Sequence, residues 1–339
     1  MSVLGAKNPT LLDVAKSLDP DGSTADVVEL LNQTNEILLD ATWAEGNLPT
    51  GHRVTVRTGL PSVVWRRLYG GVPASKSTRA QVDETCGMLE ARNEIDIKVA
   101  NLNGNSAAYR LSEASAFLES MNETMASTLF YGDTTVNPER FNGLATRFSA
   151  ISGAPNGNNV IDCGGTGSNN CSIWLCTWGE QTLQGIFPKG TKAGITHQDL
   201  GEIDAFDASN NRFRALADRW EWNCGIALKD WRYTVRAANI NVTDLVTSTT
   251  PTFPGVNGTS PIALPDLLIE MTARLPRNGV GRPVFYTTRK VGKMLRRQAM
   301  NKSQNALGIE QAQGQITTTF LGIPIRIVDA LLETEARVV

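Results

Sequence analysis

The strongest constraint on the fold is an apolar stripe in the middle of the chain. Ser112 is a suitable N-cap, and Glu113 follows in the first turn, where the helix dipole favours an acidic side chain. Gly132 ends the pattern, as glycine ends many helices. The stripe predicts one long helix of about five turns between these residues. Its apolar positions are Phe117, Leu118, Met121, Met125 and Leu129.

Two methionines in this stripe allow two interpretations of the helix. Methionine fills irregular gaps, so the stripe could be an adaptable binding face. Packing against a protein core is the favoured interpretation, because a single apolar face at helical spacing is typical of a helix that covers a core. The chain has 339 residues, 41% of them hydrophobic, which is enough for a core and about two domains.

Charge is sorted between two neighbouring stretches near the amino terminus. Residues 11–45 contain eight acidic residues and one lysine, a net charge of −7. Residues 51–82 contain six basic residues and no acidic ones, a net charge of +6. The whole chain is nearly neutral at −2, so its overall charge provides no drive toward DNA or an anionic membrane. Any electrostatic role is therefore local.

Both charged stretches have predicted secondary structure. In the acidic stretch, short helices are predicted over residues 10–18 and from an N-cap at Ser23. In the basic stretch, residues 53–57 alternate in polarity as a strand does, residues 59–61 have turn composition, and residues 62–66 are predicted to return as the second strand. The basic stretch therefore predicts a β-hairpin.

The remaining elements predict a mixed α+β protein. A short element is predicted to begin at Asn137-Pro138, since proline suits the first position of a helix. Residues 151–170 are rich in glycine, asparagine and serine and predict an extended surface loop, the least ordered internal segment. Further elements are predicted as helices over 265–275 and 288–300 and as strands over 283–287 and 323–328.

The helix predicted over residues 288–300 carries five basic residues at spacings that place them on one face. A solvated face is the favoured interpretation, and a subunit contact or a direct contact with DNA are the alternatives. The five residues are Arg289, Lys290, Lys293, Arg296 and Arg297.

Residues that could carry catalysis lack the motifs that such chemistry needs. Neither of the two histidines, His52 and His197, lies in a motif that supplies a serine or cysteine partner. The glycine-rich run at 164–167 is not followed by the lysine of a phosphate-binding loop. Glu333 and Glu335 are interpreted as solvated or as partners of a neighbouring subunit. No catalytic or cofactor-binding residue is predicted, and the protein is not predicted to be an enzyme.

The cysteines are interpreted as reduced thiols. Three of them lie at spacings of eight and five residues, which lack the short gaps typical of a zinc site, so no metal is predicted. The first residues do not resemble a signal peptide, and no stretch is apolar for the roughly 18 residues that span a bilayer, so we expect synthesis in the cytoplasm. The cysteines are Cys86, Cys163, Cys171, Cys176 and Cys224.

Short motifs follow one another over two hundred residues. They are Phe130-Tyr131-Gly132-Asp133, Pro138-Glu139-Arg140-Phe141-Asn142-Gly143-Leu144, Gly185-Ile186-Phe187-Pro188-Lys189-Gly190, Lys229-Asp230-Trp231-Arg232-Tyr233 with Arg236 and Asn239, Gly322-Ile323-Pro324-Ile325-Arg326, and Asp329-Ala330-Leu331-Leu332-Glu333-Thr334-Glu335. In this order they resemble the major capsid proteins of tailed double-stranded DNA bacteriophages, which have the Hong Kong 97 fold. The resemblance covers nearly the whole chain and is greatest to short-tailed phages of the epsilon-fifteen kind.

The resemblance implies the parts of that α+β fold. They are an N-terminal arm (residues 1–43), an extended β-hairpin loop (44–82), a peripheral domain with a long spine helix (83–150), an axial domain mixed with returning peripheral strands (151–312) and a C-terminal strand segment (313–339). Only one lysine, Lys76, lies in the hairpin region, so covalent cross-linking of subunits is not predicted.

The resemblance also implies a structural function. We expect hexamers and pentamers on an icosahedral phage head that encloses double-stranded DNA without sequence-specific binding. The expected partners are further copies of the chain and scaffolding, portal and cement proteins, with no cofactor and no membrane; the expected location is the virion, after synthesis in the host bacterial cytoplasm. The alternatives are an encapsulin-like bacterial compartment and a cysteine-dependent hydrolase or redox enzyme.

Charge sorting predicts which residues join the subunits. Repeated contacts in a lattice favour complementary charges, so the hairpin arginines are predicted to dock on acidic surface of a neighbour, either on its arm or on its spine helix. The alternative is a solvated hairpin whose arginines keep it soluble. The candidate contact residues are Arg53, Arg57, Arg66 and Arg67 on the hairpin and Glu113, Glu119 and Glu123 on the helix.

Overall fold

The computed structural model describes residues 33, 35–101, 106–207, 210–247, 262–277, 279–301, 307–312 and 315–339. The helix predicted over residues 10–18 and the start of the one predicted from Ser23 lie outside the described residues. The helices are α1 (Ile37–Asp40), α2 (Ile97–Ala100), α3 (Ser106–Tyr131), α4 (Leu144–Arg147), α5 (Val242–Thr247), α6 (Leu264–Ala273) and α7 (Arg289–Asn301). Two short 3-10 helices are Pro155–Asn159 and Trp231–Tyr233.

The strands form one large mixed sheet and one separate hairpin. They are β1 (Trp43–Glu45), β2 (Gly51–Gly59), β3 (Thr78–Thr85), β4 (Gly87–Asp96), β5 (Val160–Asp162), β6 (Asn170–Trp178), β7 (Leu183–Phe187), β8 (Thr196–Phe206), β9 (Arg212–Leu228), β10 (Thr234–Asn241), β11 (Arg282–Thr287), β12 (Leu307–Ala312), β13 (Gln315–Phe320) and β14 (Ile323–Ile327).

Twelve strands form the large sheet, with the path β12-β13-β14-β11-β6-β7-β9-β4. Off this path, β1 pairs with β7, β10 with β5 and β6, and β8 with β9, while β2 pairs with β3 alone. Strand β6 is buried along its whole length. Because successive side chains point to opposite faces, Trp174 packs in the core beneath α3, whereas Leu175 packs in a second core with α6 and α7.

Helix α3 is the long helix that the apolar stripe predicts, and its end before Gly132 is confirmed. Met121 and Met125 are buried, as core packing requires. The predicted start is wrong, because the helix begins at Ser106 and Ser112 lies within it. Buried Tyr109 packs with Ile95 and Ala100, so tertiary contacts support the six additional helical residues before Ser112.

The hairpin exists, but its second strand is not at residues 62–66. The strand β2 pairs with β3, from Gly51 opposite Thr85 to Gly59 opposite Thr78. Residues 60–77 form a long projecting connection without strand, in which the Ser75 hydroxyl donates to the Ser62 carbonyl oxygen (2.8 Å). The partner of β2 therefore lies farther along the chain than a tight turn at 59–61 allows.

Two other predictions need correction. Asn137 does not begin a helix, because the Asp133 carbonyl accepts from its N–H (2.9 Å) and closes a turn. Residues 151–170 are not an extended surface loop throughout, since they contain a 3-10 helix and β5, which pairs in parallel with β10. Val160 and Ile161 are buried, so two apolar residues are enough to draw this segment into the sheet.

Four predicted elements in the last third are confirmed. They correspond to α6, β11, α7 and β14. The basic residues of α7 lie on one exposed face, with Val291 and Leu295 buried on the other. Arg289 pairs with Asp329, and Lys290 pairs with Glu333.

The prediction that Glu335 is solvated or contacts another subunit is wrong. It is buried, and its carboxylate accepts from the Arg236 guanidinium at 2.9 Å. The hydroxyls of Tyr131 and Ser172 donate to its two oxygens, and burial raises the pKa of Tyr131 well above its usual value. The last residues of the chain are therefore anchored in the core beside α3.

Candidate subunit interface

The hairpin formed by β2, residues 60–77 and β3 is the feature most suited to contact another molecule. Its strands share no ladder with the large sheet, so it projects from the body of the chain. A turn closes its tip: the Gly70 N–H donates to the Arg67 carbonyl (3.0 Å), and the Arg66 Nε donates to the Gly70 carbonyl (2.9 Å). Tyr69 between them has a φ of 60°, a left-handed conformation uncommon for a bulky residue.

Large apolar side chains at this tip are exposed. Trp65 and Tyr69 are 104% and 99% exposed, respectively. Such a cluster is unusual on a lone soluble domain and marks a surface that another molecule covers. Its members are Leu60, Val63, Val64, Trp65, Leu68, Tyr69 and Val72.

Arg53 and Arg57 lie on β2, whereas Arg66 and Arg67 lie at the tip. Arg53 forms a bidentate pair with Asp83 on β3, with N–O distances of 2.6 and 2.7 Å, and this hydrogen bonding lowers the pKa of Asp83. This pair is exposed, so Arg53 already has a partner in its own chain. Within the described residues, no salt bridge is made by Arg57, Arg66 or Arg67.

The base of the hairpin is held by a buried ion pair. Glu84 on β3 accepts two hydrogen bonds from Arg147 at 2.5 and 2.7 Å. The same guanidinium donates to the carbonyls of Asn142 and Ile226, so it joins the hairpin to α4 and β9. Alternation along β3 therefore directs Asp83 to solvent and Glu84 to the body of the protein.

The predicted acidic partners lie along α3, each half-buried. Glu119 accepts a hydrogen bond from the Gln33 N–H (3.1 Å). In the part of the chain that the structure describes, no salt bridge joins a hairpin arginine to Glu119 or Glu123. The fold therefore places the two charged sets on separate elements, the hairpin and the spine helix, and the pairing between subunits stays a prediction.

The histidines have structural neighbours. Burial, with a smaller contribution from Lys229, lowers the pKa of His52. His197 stacks on Trp220, and its Nε2 lies 2.9 Å from a carboxylate oxygen of Asp218, which also pairs with Arg110.

The cysteines are buried apart from Cys86, which is half-buried. Burial raises the pKa of the Cys86 thiol to about 11. Among the described residues, no group of three or more His, Cys, Asp or Glu side chains could hold a metal ion. No helix in the described part of the chain is long and apolar enough to cross a bilayer.

The apolar tip and the acidic residues of the hairpin were not predicted from the sequence. Both omissions have one cause: the return strand was predicted too early, which assigned Trp65 to a strand and left Asp83 and Glu84 outside the hairpin. The available signal was a run of large apolar residues between Pro61 and Pro73 without a partner strand of matching alternation.

Comparison with known proteins identifies relatives over the whole chain. The family described as Major capsid protein GP7 matches residues 19–339. A chain of the bacteriophage epsilon15 structure is 31% identical, with a TM-score of 0.78 and coverage of 100% of this chain and 99% of that one. No curated protein sequence matches.

More distant structures also match. The bacteriophage JBD30 capsid has a TM-score of 0.45 at 8% identity, covering 89% of this chain and 93% of that one. The SrpI encapsulin of Synechococcus elongatus has a TM-score of 0.44 at 11% identity, covering 68% and 95%.

The fold and the projecting hairpin, together with the epsilon15 match, define a capsid subunit with the predicted Hong Kong 97 fold. More specifically, the chain belongs to the Major capsid protein GP7 family. It is a structural protein of a phage capsid, and it assembles with copies of itself into capsomers.

Proposed function

We propose that this chain forms the hexamers and pentamers of an icosahedral phage head that encloses double-stranded DNA, and that it is not an enzyme. The observation that carries this proposal is the family match over residues 19–339. The exposed hairpin tip supports it, because apolar surface of this kind requires a covering partner and the partner available at every lattice position is another copy.

The same proposal assigns partners, location and domains. Scaffolding, portal and cement proteins assist assembly in the host bacterial cytoplasm, and the mature protein lies in the virion around DNA that it binds without sequence specificity. The domains are the arm, extended loop, peripheral domain, axial domain and C-terminal segment over residues 1–43, 44–82, 83–150, 151–312 and 313–339. The near-neutral net charge of −2 suits a container that must release its genome.

We expect the chain, expressed with its neighbouring genes, to form closed particles that electron microscopy and sedimentation detect. Particles that carry nuclease-protected double-stranded DNA support a phage head. Particles filled with a protein cargo and lacking DNA indicate a compartment shell instead. A chain that stays monomeric at high concentration, with and without the neighbouring gene products, contradicts the assembly proposal.

The hairpin is the element that we propose joins neighbouring subunits. Its tip offers Arg66 and Arg67 beside exposed apolar residues, and both guanidinium groups lack a salt bridge among the described residues. The acidic candidates Glu119 and Glu123 lie on the spine helix of the next copy. A single exposed ion pair contributes only ~0.2 to 1 kcal/mol, but several pairs that are partly desolvated between subunits set orientation and register.

Reversing the charge of Arg66 and Arg67 to glutamate is expected to abolish particle formation while leaving the subunit folded. The tip is exposed, so we expect the free energy of unfolding to change by no more than about 0.5 kcal/mol. Circular dichroism measures folding and sedimentation measures particle yield. The matched control reverses Arg296 and Arg297, an adjacent exposed pair on α7.

Both variants change the net charge of the chain by the same amount, so the control tests whether the position of the reversed arginines matters. Particles at wild-type yield from the hairpin variant would contradict the role of Arg66 and Arg67. Equal loss in both variants would contradict an effect specific to the hairpin.

A further inference from the structure

The exposed face of helix α7 is entirely basic. Between residues 289 and 298, every exposed side chain is an arginine or a lysine, and every other residue is buried. Successive residues of a helix are rotated by about 100°, so the five cations lie within an arc of about 120°. This surface, called the basic face below, consists of Arg289, Lys290, Lys293, Arg296 and Arg297.

Two of the five cations are neutralised within the chain. Arg289 pairs with Asp329 at 2.7 Å, and Lys290 pairs with Glu333. Within the described residues, no salt bridge is made by the other three, which are Lys293, Arg296 and Arg297. Three positive charges of the basic face therefore remain available to a partner.

The pattern of the basic face is unfavourable for an isolated helix. Solvated helix faces usually mix charges of both signs, whereas like charges four residues apart destabilise a helix. Lys293 has such neighbours on both sides, Arg289 and Arg297. The first turn, where the helix dipole disfavours cations, begins with Arg289 and Lys290. An anion that covers the basic face would therefore relieve a repulsion that solvent alone leaves in place.

The packing of α7 holds the basic face in one orientation. The Gln298 Oε1 accepts a hydrogen bond from the Leu264 N–H (2.8 Å), and its Nε2 donates to the Ile262 carbonyl (3.1 Å). Val291 and Leu295 are buried in the same core as the residues of α6. A partner therefore meets an array of cations that is already fixed to the body of the subunit.

The composition of the basic face favours a polyanion over a folded protein. Interfaces between proteins have an apolar or aromatic centre, and none of the exposed side chains described on α7 is apolar. Phosphate groups, in contrast, are bound by cations alone. Arg296 and Arg297 lie about 4.5 and 6 Å from Lys293 along the helix axis. Phosphates recur about every 3.4 Å along a DNA strand, so each cation can reach a different one.

The acidic arm of the same chain is a poorer occupant. Its described end lies beside the spine helix, where the Gln33 N–H donates to Glu119 (3.1 Å). Helix α3 packs in the core that contains Trp174, whereas α7 packs in the core that contains Leu175. The two helices therefore cover opposite faces of the sheet, and the described end of the arm lies on the side away from the basic face.

We infer that the basic face contacts the phosphate backbone of packaged DNA through Lys293, Arg296 and Arg297. This inference rests on the proposed enclosure of DNA and specifies which surface of the subunit meets it. Phosphate contacts carry no sequence information, as a container for any sequence requires. The contact is made to DNA and not between subunits, so reversal of Arg296 and Arg297 is still expected to leave particle formation unchanged.

Photocross-linking in DNA-filled particles tests the position of the basic face. With p-benzoylphenylalanine in place of Lys293, ultraviolet light is expected to attach the chain to DNA, and nuclease should release it. The matched control carries the same photoprobe in place of Ala116, an exposed position on α3, across the sheet from α7. No DNA-linked chain is expected from position 116. If the probe at 293 prevents assembly, the probe in place of Arg297 decides, and failure of both to assemble makes α7 a subunit contact and overturns the inference.

The salt dependence of DNA binding tests the role of charge. The background is the unassembled subunit with Arg66→Glu and Arg67→Glu, whose hairpin tip no longer attracts DNA. Adding Lys293→Gln, Arg296→Gln and Arg297→Gln removes three phosphate contacts, each contributing about 0.9 to the slope of log affinity against log salt. The slope should therefore become less steep by about 2.7. Between about 50 and 200 mM salt, the background subunit should lose about 40-fold more affinity for a DNA duplex than this variant.

The matched control for charge removes three arginines that already form salt bridges. It adds Arg92→Gln, Arg214→Gln and Arg219→Gln to the same background, which changes the net charge equally. Because these guanidinium groups are paired with carboxylates, the slope is expected to stay close to that of the background.

The outcomes separate the basic face from the proposed function. Particles without protected DNA would contradict the proposed enclosure, and the salt slope would then decide the basic face alone. Filled particles with no DNA linked at position 293, or with equal linkage at 116, overturn the inference. Linkage of position 293 to protein assigns the face to a protein contact instead. An unchanged slope in the α7 variant, or an equal change in the control, shows that the three cations do not bind phosphate.

Discussion

Glu335→Ala is expected to lower the free energy of unfolding by about 3 to 5 kcal/mol, which is the cost of breaking a buried ion pair. The substitution leaves the Arg236 guanidinium, buried over the Trp174 ring at 5.0 Å, without its carboxylate. It also removes the acceptor of the Tyr131 and Ser172 hydroxyls. Urea denaturation of the unassembled subunit, followed by tryptophan fluorescence, measures the change.

The matched control is Glu333→Ala, two residues earlier in the same segment. Glu333 pairs with Lys290, which is 59% exposed, so its loss should cost no more than about 1 kcal/mol. Replacing both buried partners, Arg236→Met with Glu335→Leu, should recover part of the stability because no unpaired charge remains. Equal effects of the two alanine variants would contradict the buried-pair assignment.

Arg147→Ala is expected to lower the free energy of unfolding by about 3 kcal/mol, the lower end of the range for a buried pair, because Arg147 keeps 16% exposure. It leaves Glu84 buried without a counterion and frees the carbonyls of Asn142 and Ile226. Because this guanidinium joins the hairpin to the body, particle yield should also fall. Denaturation and sedimentation of the same preparation measure both effects.

Arg53→Ala is the control for this second prediction. Its partner Asp83 is adjacent to Glu84 on β3, and each carboxylate accepts two hydrogen bonds from its arginine. Arg147 is more buried than Arg53 and also donates to the carbonyls of Asn142 and Ile226. Water screens the Arg53 pair, and its loss should cost about 0.2 to 1 kcal/mol. Equal costs for Arg53→Ala and Arg147→Ala would contradict the prediction that the buried pair contributes more to stability.

The two predictions concern different parts of the chain. One pair anchors the carboxyl-terminal segment to the core beside α3, and the other holds the hairpin at its base. Because the Arg236–Glu335 and Arg147–Glu84 pairs share no hydrogen-bond partner, the effects of the two substitutions should add within about 0.5 kcal/mol. A stronger coupling would indicate that the hairpin and the carboxyl-terminal segment unfold as one unit.

Sequence alone determined the features that depend on neighbours a few residues away. The apolar stripe of α3, its end at Gly132 and the basic face of α7 follow from helical spacing, which is a local property. The order of motifs also identified the family, because it is a property of the chain and not of its packing. The hairpin was predicted for the same reason, since the alternation of β2 is visible in the sequence.

Only the tertiary structure decided which distant residues meet. The partner strand of β2 lies at Thr78–Thr85 because pairing satisfies the whole ladder, which no local turn signal encodes. The burial of Glu335 depends on Arg236, 99 residues earlier, and the same carboxylate without that partner would remain in water. A surface hollow likewise joins Gly87, Thr124 and Phe141 from three separate parts of the chain, so its shape exists only once the sheet and spine helix have packed.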